Sequence, residues 1–219
     1  MSERQRTLAS AISYEGVGLH TGENCQVTFK PAPPDSGIQF VRSDLPGKPK
    51  IRVVAENAVY DSDQGRRTIL REGEAEVHTV EHLLAAATGC GIDNLTIELN
   101  AREPGHTIDG SATPFVEMFQ KAGIEVQAKD RRYFEVPHPV RFAKGGAEVL
   151  GFPHEALRIS FTIEFEHPVI GTQHAVFDIE PEVFLREIAP ARTFVLREDV
   201  EKLQKAGMIK GGSLDTAVV

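Results

Sequence analysis

The segment His78-Thr-Val-Glu-His82 contains the residues best suited to chemistry. As a pattern it reads H-x-x-E-H, in which two histidines one helical turn apart bind zinc and the glutamate activates water for hydrolysis. Two histidines with this spacing share a metal only if both lie on one helix. If Thr79 caps that helix, His78 lies outside it, so His82 is the better candidate ligand. Alternatively, Glu81 and His82 form an ordinary solvated first turn, favoured by the helix dipole.

A helix is predicted to position these residues. It begins near Thr79 as the cap and ends at Gly89, and Glu81 and His82 lie outside its apolar stripe. The stripe has the spacing i, i+3, i+4 and i+7, formed by Val80, Leu83, Leu84 and Ala87.

Two further patterns predict the rest of the first half. A second helix is expected after a Ser111 cap and should end at Gly123, with Asp109 anchoring its start. Its apolar face has the same spacing, at Phe115, Met118, Phe119 and Ala122. Strands are predicted where apolar residues alternate, as at Cys25, Val27 and Phe29 and again at Leu95, Ile97 and Leu99.

The second half repeats the order of strands first and helices later. The clearest alternation runs from Leu157 to Phe165, so we expect one face of this strand to be buried and the other exposed. Helices are predicted at 182–188 and 198–206. With little regular βαβ alternation, the pattern favours an α+β fold. We place a boundary in the polar stretch near residue 128, which gives domains 1–128 and 129–219.

Composition restricts the function further. The net charge is −8 and no long block of like charge occurs, so a nucleic-acid partner is not expected. No apolar run approaches the roughly 18 residues that cross a bilayer, and the first residues are not those of a signal peptide. Two distant cysteines, Cys25 and Cys90, indicate no disulfide framework. We therefore expect a cytoplasmic protein without a membrane span and, since nothing demands a partner, a monomer.

Six segments occur in one order along the chain, and together they resemble the UDP-3-O-acyl-N-acetylglucosamine deacetylase family, which performs the committed step of lipid A synthesis. These segments are Gly16-Val-Gly-Leu-His-Thr-Gly22, Thr79-Val-Glu-His-Leu83, Gly91-Ile-Asp-Asn94, Asp109-Gly-Ser111, Ala191-Arg-Thr-Phe194 and Lys210-Gly-Gly-Ser213. The similarity extends from Arg6 to Val219. It implies two α+β sandwich domains of similar topology, each a sheet plus two helices packed between the sheets, with the second domain incomplete.

The resemblance also implies catalytic roles. His82 matches a zinc ligand, Glu81 matches the general base, and Thr193 matches the residue that stabilises the tetrahedral oxyanion. A carboxylate beside a metal ligand can take a proton from water, and a hydroxyl group can donate to developing negative charge. The implied cofactor is Zn²⁺, and the implied reaction releases acetate from the N-acetyl group of an acylated UDP-sugar.

Substrate contacts follow from the same resemblance. Leu19 and His20 would lie beside the substrate, and Phe165 would contact its sugar or nucleotide. The stretch 194–219 resembles the family's inserted acyl passage, which Phe194, Val195, Leu203 and Met208 would line. Without the resemblance these residues are ordinary core positions, and the glycine-rich segment at 16–22 is an ordinary turn.

The sequence departs from the family's pattern in two places. The family completes its zinc site with a histidine and an aspartate from an H-K-x-x-D segment, which is absent from these 219 residues. Because catalytic zinc needs about three protein ligands, we expect a truncated chain with weak zinc binding and no turnover by itself. The loop from Glu103 to Asp109 is one residue longer than is usual in the family, and His106 lies inside it, so an approach of His106 to the metal stays open.

Two other functions remain open at this point. An inverted-motif zinc peptidase would use both His78 and His82 and would need a further glutamate ligand on a neighbouring helix. A non-catalytic module would retain the fold and bind a UDP-sugar without a metal.

Overall fold

The computed structural model describes residues 3–59, 67–105 and 109–219. The strands are β1 (Arg4–Leu8), β2 (Ile12–Val17), β3 (Asn24–Pro31), β4 (Ile38–Arg42), β5 (Lys50–Arg52), β6 (Ile69–Glu72), β7 (Ala75–His78), β8 (Leu95–Leu99), β9 (Ile124–Asp130), β10 (Val140–Lys144), β11 (Ala147–Gly151), β12 (Arg158–Glu164) and β13 (Thr172–Asp178). The helices are α1 (Glu81–Gly89), α2 (Thr113–Ala122), α3 (Pro181–Val183), continued by a π-helical turn over Phe184–Ile188, and α4 (Arg197–Lys205); a 3-10 turn spans Ala55–Asn57. The predicted α+β class is confirmed.

A five-stranded sheet forms the centre of the first half, in the order β2-β3-β8-β4-β5. Its strands pair antiparallel except β4 and β8, which are parallel. The predicted alternation is confirmed, because Val27 and Phe29 on β3 and Ile97 on β8 point into the core with no exposed surface. A period-two pattern therefore marked the buried face of these strands.

The helices α1 and α2 pack with the buried face of this sheet. Phe29 on β3 lies 5.0 Å from Phe119 on α2 between ring centroids, in an edge-to-face arrangement. Leu83 and Ala87 of α1 belong to the same buried cluster. The apolar face of α1 is thus fixed by the core, while Glu81 and His82 at its start remain half-buried.

The prediction of a half-buried strand in the second half is wrong. The residues of β12 are largely exposed on both faces, with Ile159 45% and Phe161 64% exposed. The strand pairs with β13 as a two-stranded hairpin, and β10 pairs with β11 in the same way. Alternation makes one face apolar, but a face becomes buried only when a second layer packs on it, and no such layer covers β12 within the described residues.

One set of contacts between the two halves of the chain involves the helical segment at 181–188 and Ala189, which follows it. A Cβ atom added to Gly89 at the end of α1 would lie 2.2 Å from the ring of Phe184, so the absence of a side chain at Gly89 permits this packing. The Ala112 N–H donates to the Ala189 carbonyl at 3.0 Å. The strand β9 continues to Asp130 and pairs with β1. The division into domains 1–128 and 129–219 stays a prediction.

None of the described helices has an apolar stretch long enough to cross a lipid bilayer.

Candidate active site

Glu81 and His82 are the first two residues of α1. The helix begins one residue later than predicted, because the cap position is held by Val80, without a side-chain cap bond, and not by Thr79. Thr79 has a left-handed backbone, with φ of 53°, and its hydroxyl donates to Glu103 Oε1 at 2.6 Å. A capping threonine would have an extended backbone and keep its oxygen for the helix N–H groups. The left-handed backbone of Thr79, with its hydroxyl bonded to Glu103, therefore explains why Thr79 does not cap the helix.

The environment of His82 favours a neutral imidazole. Burial lowers the pKa of His82 below its ordinary value, and the negative charges of Glu81 and Asp109 act in the opposite direction. Neutral imidazole is the form that binds metal ions. His82 also borders a small cavity together with Thr79, Glu103, Pro104, Gly105 and Phe115. Glu81 Oε2 accepts the Thr68 N–H at 3.1 Å.

His78 lies on a different element from His82. It is the last residue of β7, and it is buried. Its backbone N–H donates to the Arg102 carbonyl at 3.0 Å. Its Nε2 lies 3.0 Å from Glu76 Oε2. The left-handed Thr79 separates this strand from α1, so His78 and His82 are not a pair one turn apart on a helix. His78 is a hydrogen-bonded core residue, as expected if it lies outside the helix.

Thr193 is held beside the segment that precedes α2. Its N–H donates to the Gly110 carbonyl at 3.0 Å, and Arg192 Nε donates to the Asp109 carbonyl at 2.6 Å. The Asp109 carboxylate accepts the N–H and hydroxyl of Ser111, and its negative charge partly opposes the lowering of the His82 pKa by burial. Asp109 thus anchors the start of α2 as predicted, beside the segment that carries Thr193.

The start of α2 differs slightly from the prediction. The residue at the cap position is Ala112, and it makes no side-chain cap bond. Ser111 lies one residue earlier, where its hydroxyl oxygen accepts the Thr113 N–H at 3.2 Å. The sequence therefore identified the residue that supports the helix start but misplaced the start by one position.

Comparison with known proteins decides the family. The family described as UDP-3-O-acyl N-acetylglycosamine deacetylase matches residues 5–219. The chain belongs to this deacetylase family. The resemblance drawn from the six ordered segments is therefore confirmed.

Individual relatives agree with this assignment. A UDP-3-O-acyl-N-acetylglucosamine deacetylase of Anaeromyxobacter sp. (strain Fw109-5) is 43% identical over 215 residues, which are 98% of this chain and 69% of the relative. One from Legionella pneumophila (strain Corby) is 43% identical over 218 residues, 99% of this chain and 70% of the relative. The bifunctional enzyme LpxC/FabZ of Chlorobaculum tepidum is 39% identical over 218 residues, and the chain spans 46% of its length.

Two aromatic residues predicted as substrate contacts of the deacetylase are in contact with each other. Phe165 directly follows β12, and its ring centroid lies 5.4 Å from that of Phe194, in an edge-to-face arrangement. Phe194 also forms a parallel bridge with Val218. Met208 lies three residues beyond the end of α4, where its N–H donates to the Leu203 carbonyl at 2.9 Å. A role for Met208 in an acyl passage stays a prediction.

The turn between β2 and β3 contacts the end of the chain. The Gly211 N–H donates to the Leu19 carbonyl at 3.0 Å. His20 is buried, burial lowers its pKa, and its Nδ1 has no hydrogen-bond partner within the described residues. Leu19 and His20 are thereby brought beside Lys210-Gly-Gly-Ser213, another segment of the family pattern.

Glu103 was not among the site residues predicted from the sequence. Its side chain is only 1% exposed, and it contacts both the turn at 18–22 and Thr79. An acidic residue followed by Pro104 and Gly105 looks like part of a polar loop, and no local pattern distinguishes a buried carboxylate from an exposed one. His106, for which an approach to the metal was left open, lies outside the described residues.

The burial of His78 predicts a pH-dependent stability. Burial lowers its pKa in the folded protein, although Glu76 opposes the shift, whereas the unfolded chain has a histidine pKa of about 6.5. As pH falls below about 6.5 the unfolded state binds the proton first, so the free energy of unfolding decreases by at most about 1.4 kcal/mol per pH unit for this group. The measurement is urea unfolding of the metal-free protein between pH 7.5 and 5.5. The free energy of unfolding of H78Q should decrease less steeply with falling pH than that of the wild type.

The matched control for this experiment is H154Q, because His154 is exposed. The free energy of unfolding of this variant should decrease with falling pH as steeply as that of the wild type. An unchanged slope in H78Q would contradict the assignment of a neutral buried imidazole at position 78.

Proposed function

We propose that the natural protein containing this chain hydrolyses the N-acetyl group of UDP-3-O-(3-hydroxyacyl)-N-acetylglucosamine and releases acetate. This is the committed step of lipid A synthesis, carried out by a zinc-dependent, cytoplasmic, monomeric enzyme. The observation that carries the proposal is the position of Glu81 and His82 at the start of α1, together with Thr193, whose backbone is bonded to Gly110 beside Asp109. Relatives of this chain carry the name of the same activity.

The donor groups fit part of a zinc site. His82 is half-buried with a lowered pKa, which makes its imidazole a suitable ligand. No group of three or more His, Cys, Asp or Glu that could hold a metal occurs within residues 3–59, 67–105 and 109–219. We propose His82 as one of the ligands. When bound, zinc would polarise the acetyl carbonyl and make the attacking water more acidic.

The proposed reaction needs one proton acceptor and one hydrogen-bond donor from this chain. Glu81 takes a proton from the water that attacks the acetyl carbonyl carbon. The Thr193 hydroxyl donates to the carbonyl oxygen as it becomes negatively charged. The proton that Glu81 removed from water passes to the sugar nitrogen as the C–N bond breaks, which gives acetate and the free amine of the sugar. The backbone bonds of Thr193 to Gly110 and Val218 support the oxyanion role, because they fix the residue that carries the donor hydroxyl.

Substrate contacts are proposed for five residues near this arrangement. The paired rings of Phe165 and Phe194 offer an aromatic surface to the sugar, the nucleotide or the acyl chain. Leu19 and His20 lie on the turn joined to the 210–213 segment, and Met208 precedes that segment. An amphipathic substrate with a polar nucleotide and an apolar chain matches this mixture of polar and apolar side chains.

Metal removal tests the proposed activity. The full-length natural protein should release acetate from UDP-3-O-(3-hydroxymyristoyl)-N-acetylglucosamine, as followed by chromatography of the free amine product. Treatment with a zinc chelator should reduce the rate by at least about 100-fold, and one equivalent of Zn²⁺ should restore it. Loss of zinc without loss of rate would contradict the proposal.

The same preparation tests the alternatives. Hydrolysis of peptides but not of the UDP-sugar would support the zinc peptidase, although the position of His78 on β7 argues against it. Binding of the UDP-sugar without turnover, by a protein that holds no metal, would support the non-catalytic module. Either result would contradict the deacetylase.

A further inference from the structure

Glu103 is a buried carboxylate with three hydrogen-bond donors around it. Its Oε2 accepts the backbone N–H groups of His20 and Thr21 at 2.9 and 3.0 Å. Its Oε1 accepts a hydrogen bond from the hydroxyl of Thr79 at 2.6 Å. Every one of these partners donates, which suits an acceptor with two oxygens. A buried acidic group is stable only when its oxygens are paired in this way.

The three donors come from two separate segments of the chain. Two belong to the turn between β2 and β3, which carries Leu19 and His20. The third belongs to Thr79, two residues before Glu81. Glu103 also borders the same small cavity as His82. The side chain of Glu103 therefore joins the turn at residues 18–22 to the residue that precedes α1 by two positions, Thr79.

The turn is shaped to admit this carboxylate. A Cβ atom added to Gly18 would lie 2.8 Å from Glu103 Oε2 and 2.3 Å from Thr21 Oγ1, closer than any real side chain tolerates. Gly18 itself is buried. The absence of a side chain at Gly18 thus leaves space for Glu103, which supports a built contact between the loop and the carboxylate.

Thr79 combines its contact with Glu103 with an unusual backbone conformation. Its φ of 53° lies in the left-handed region, which a β-branched residue rarely adopts because its branched side chain crowds the backbone. The hydrogen bond to Glu103 holds Thr79 there, and Thr79 sets the direction in which the chain enters α1. The orientation of Glu81 and His82 depends on that entry.

We propose that Glu103 is a positioning residue for the deacetylase site, acting through the Thr79 hydroxyl on Glu81 and His82. The proposal rests on the proposed function, since it assigns to Glu103 the alignment of the same base and metal ligand. Misplacement of a reacting group lowers the rate of the chemical step more than it weakens substrate binding. Loss of the Thr79 hydroxyl should therefore reduce kcat and leave KM nearly unchanged.

The test uses full-length zinc-loaded protein with T79V and T79S. Valine matches the shape of threonine but lacks the hydroxyl, and serine keeps it. We expect T79V to lower kcat at least about tenfold with KM within about twofold, and T79S to remain within about threefold of the wild type. Amide hydrogen exchange at residues 80–83 of the metal-free protein should become faster in T79V, which gives a readout independent of activity.

The matched control is T7V. Thr7 is buried, whereas Thr79 is half-buried, and the Thr7 hydroxyl donates to the Asn94 carbonyl at 2.7 Å and accepts the Ala32 N–H at 2.9 Å, on elements other than α1. This variant should lose stability without a change in kcat or in exchange at 80–83. If T7V and T79V lower kcat equally, the role of Thr79 is only structural and the proposal is wrong.

Variants of Glu103 complete the test. E103Q can keep all three contacts, because its amide oxygen accepts the two N–H groups and its NH2 donates to Thr79, so kcat should stay within about threefold. E103A should lower kcat at least as far as T79V, and adding T79V to E103A should cause little further loss. Additive losses would overturn the proposal, and where E103A does not fold, T79V alone decides. A wild-type protein without deacetylase activity would instead contradict the proposed function.

Discussion

Replacement of Glu81 by glutamine is expected to lower kcat of the full-length protein by about 10²- to 10⁴-fold, the usual contribution of a general base. Glutamine keeps the size and hydrogen-bonding shape of the side chain but cannot take a proton from water. The carbonyl oxygen of its amide can still accept the Thr68 N–H that Glu81 Oε2 accepts at 3.1 Å. The structure around the first turn of α1 should therefore be preserved. The measurement is steady-state kinetics of acetate release, together with zinc content.

Two further variants separate the base from the metal ligand. H82Q should lose tightly bound zinc, whereas E81Q should keep it. E98Q serves as a matched control, because Glu98 is another half-buried carboxylate, paired with Lys30 on the central sheet. It should retain full activity. An E81Q enzyme with the rate of the wild type would remove the general base from the proposed mechanism.

Local patterns predicted the elements that present this site. The apolar spacing at Leu83 and Ala87 identified α1, and the alternation at Leu95, Ile97 and Leu99 identified β8, because each period places the apolar residues on one buried face. The residues Glu81 and His82 were separated from that face by the same argument. The family resemblance then supplied the roles, which periodicity alone does not contain.

Contacts between distant residues were beyond such patterns. The sequence around Thr79 is typical of a helix cap, and nothing nearby reveals that Glu103, 24 residues later, accepts its hydroxyl. The β12 alternation predicted an apolar face but not whether another layer covers it, since coverage depends on elements elsewhere in the fold. The contact of Phe165 with Phe194 likewise joins two segments for which separate substrate contacts were predicted.

The placement of Thr193 depends on a glycine for a reason that can be tested. Gly110 has φ of 72°, and a Cβ atom added there would lie 1.9 Å from the Thr216 carbonyl oxygen and 3.3 Å from Thr193 Cγ2. Any side chain at this position must push the 213–218 segment and Thr193 away from Asp109. Arg192 would move with them, because its guanidinium donates to the Asp109, Leu214 and Asp215 carbonyls.

The variant G110A is accordingly expected to lower the free energy of unfolding by about 2–4 kcal/mol, from backbone strain and from overlap with a backbone atom. It should also lower kcat at least about tenfold, because the Thr193 hydroxyl loses its position. G73A is the control: Gly73 has φ of 60°, but no atom lies within 4 Å of its added Cβ. Only backbone strain remains there, so G73A should lower the free energy of unfolding by about 1 kcal/mol and keep full activity. Equal effects of the two substitutions on stability and kcat would show that contact with the 213–218 segment does not hold Thr193 at the site.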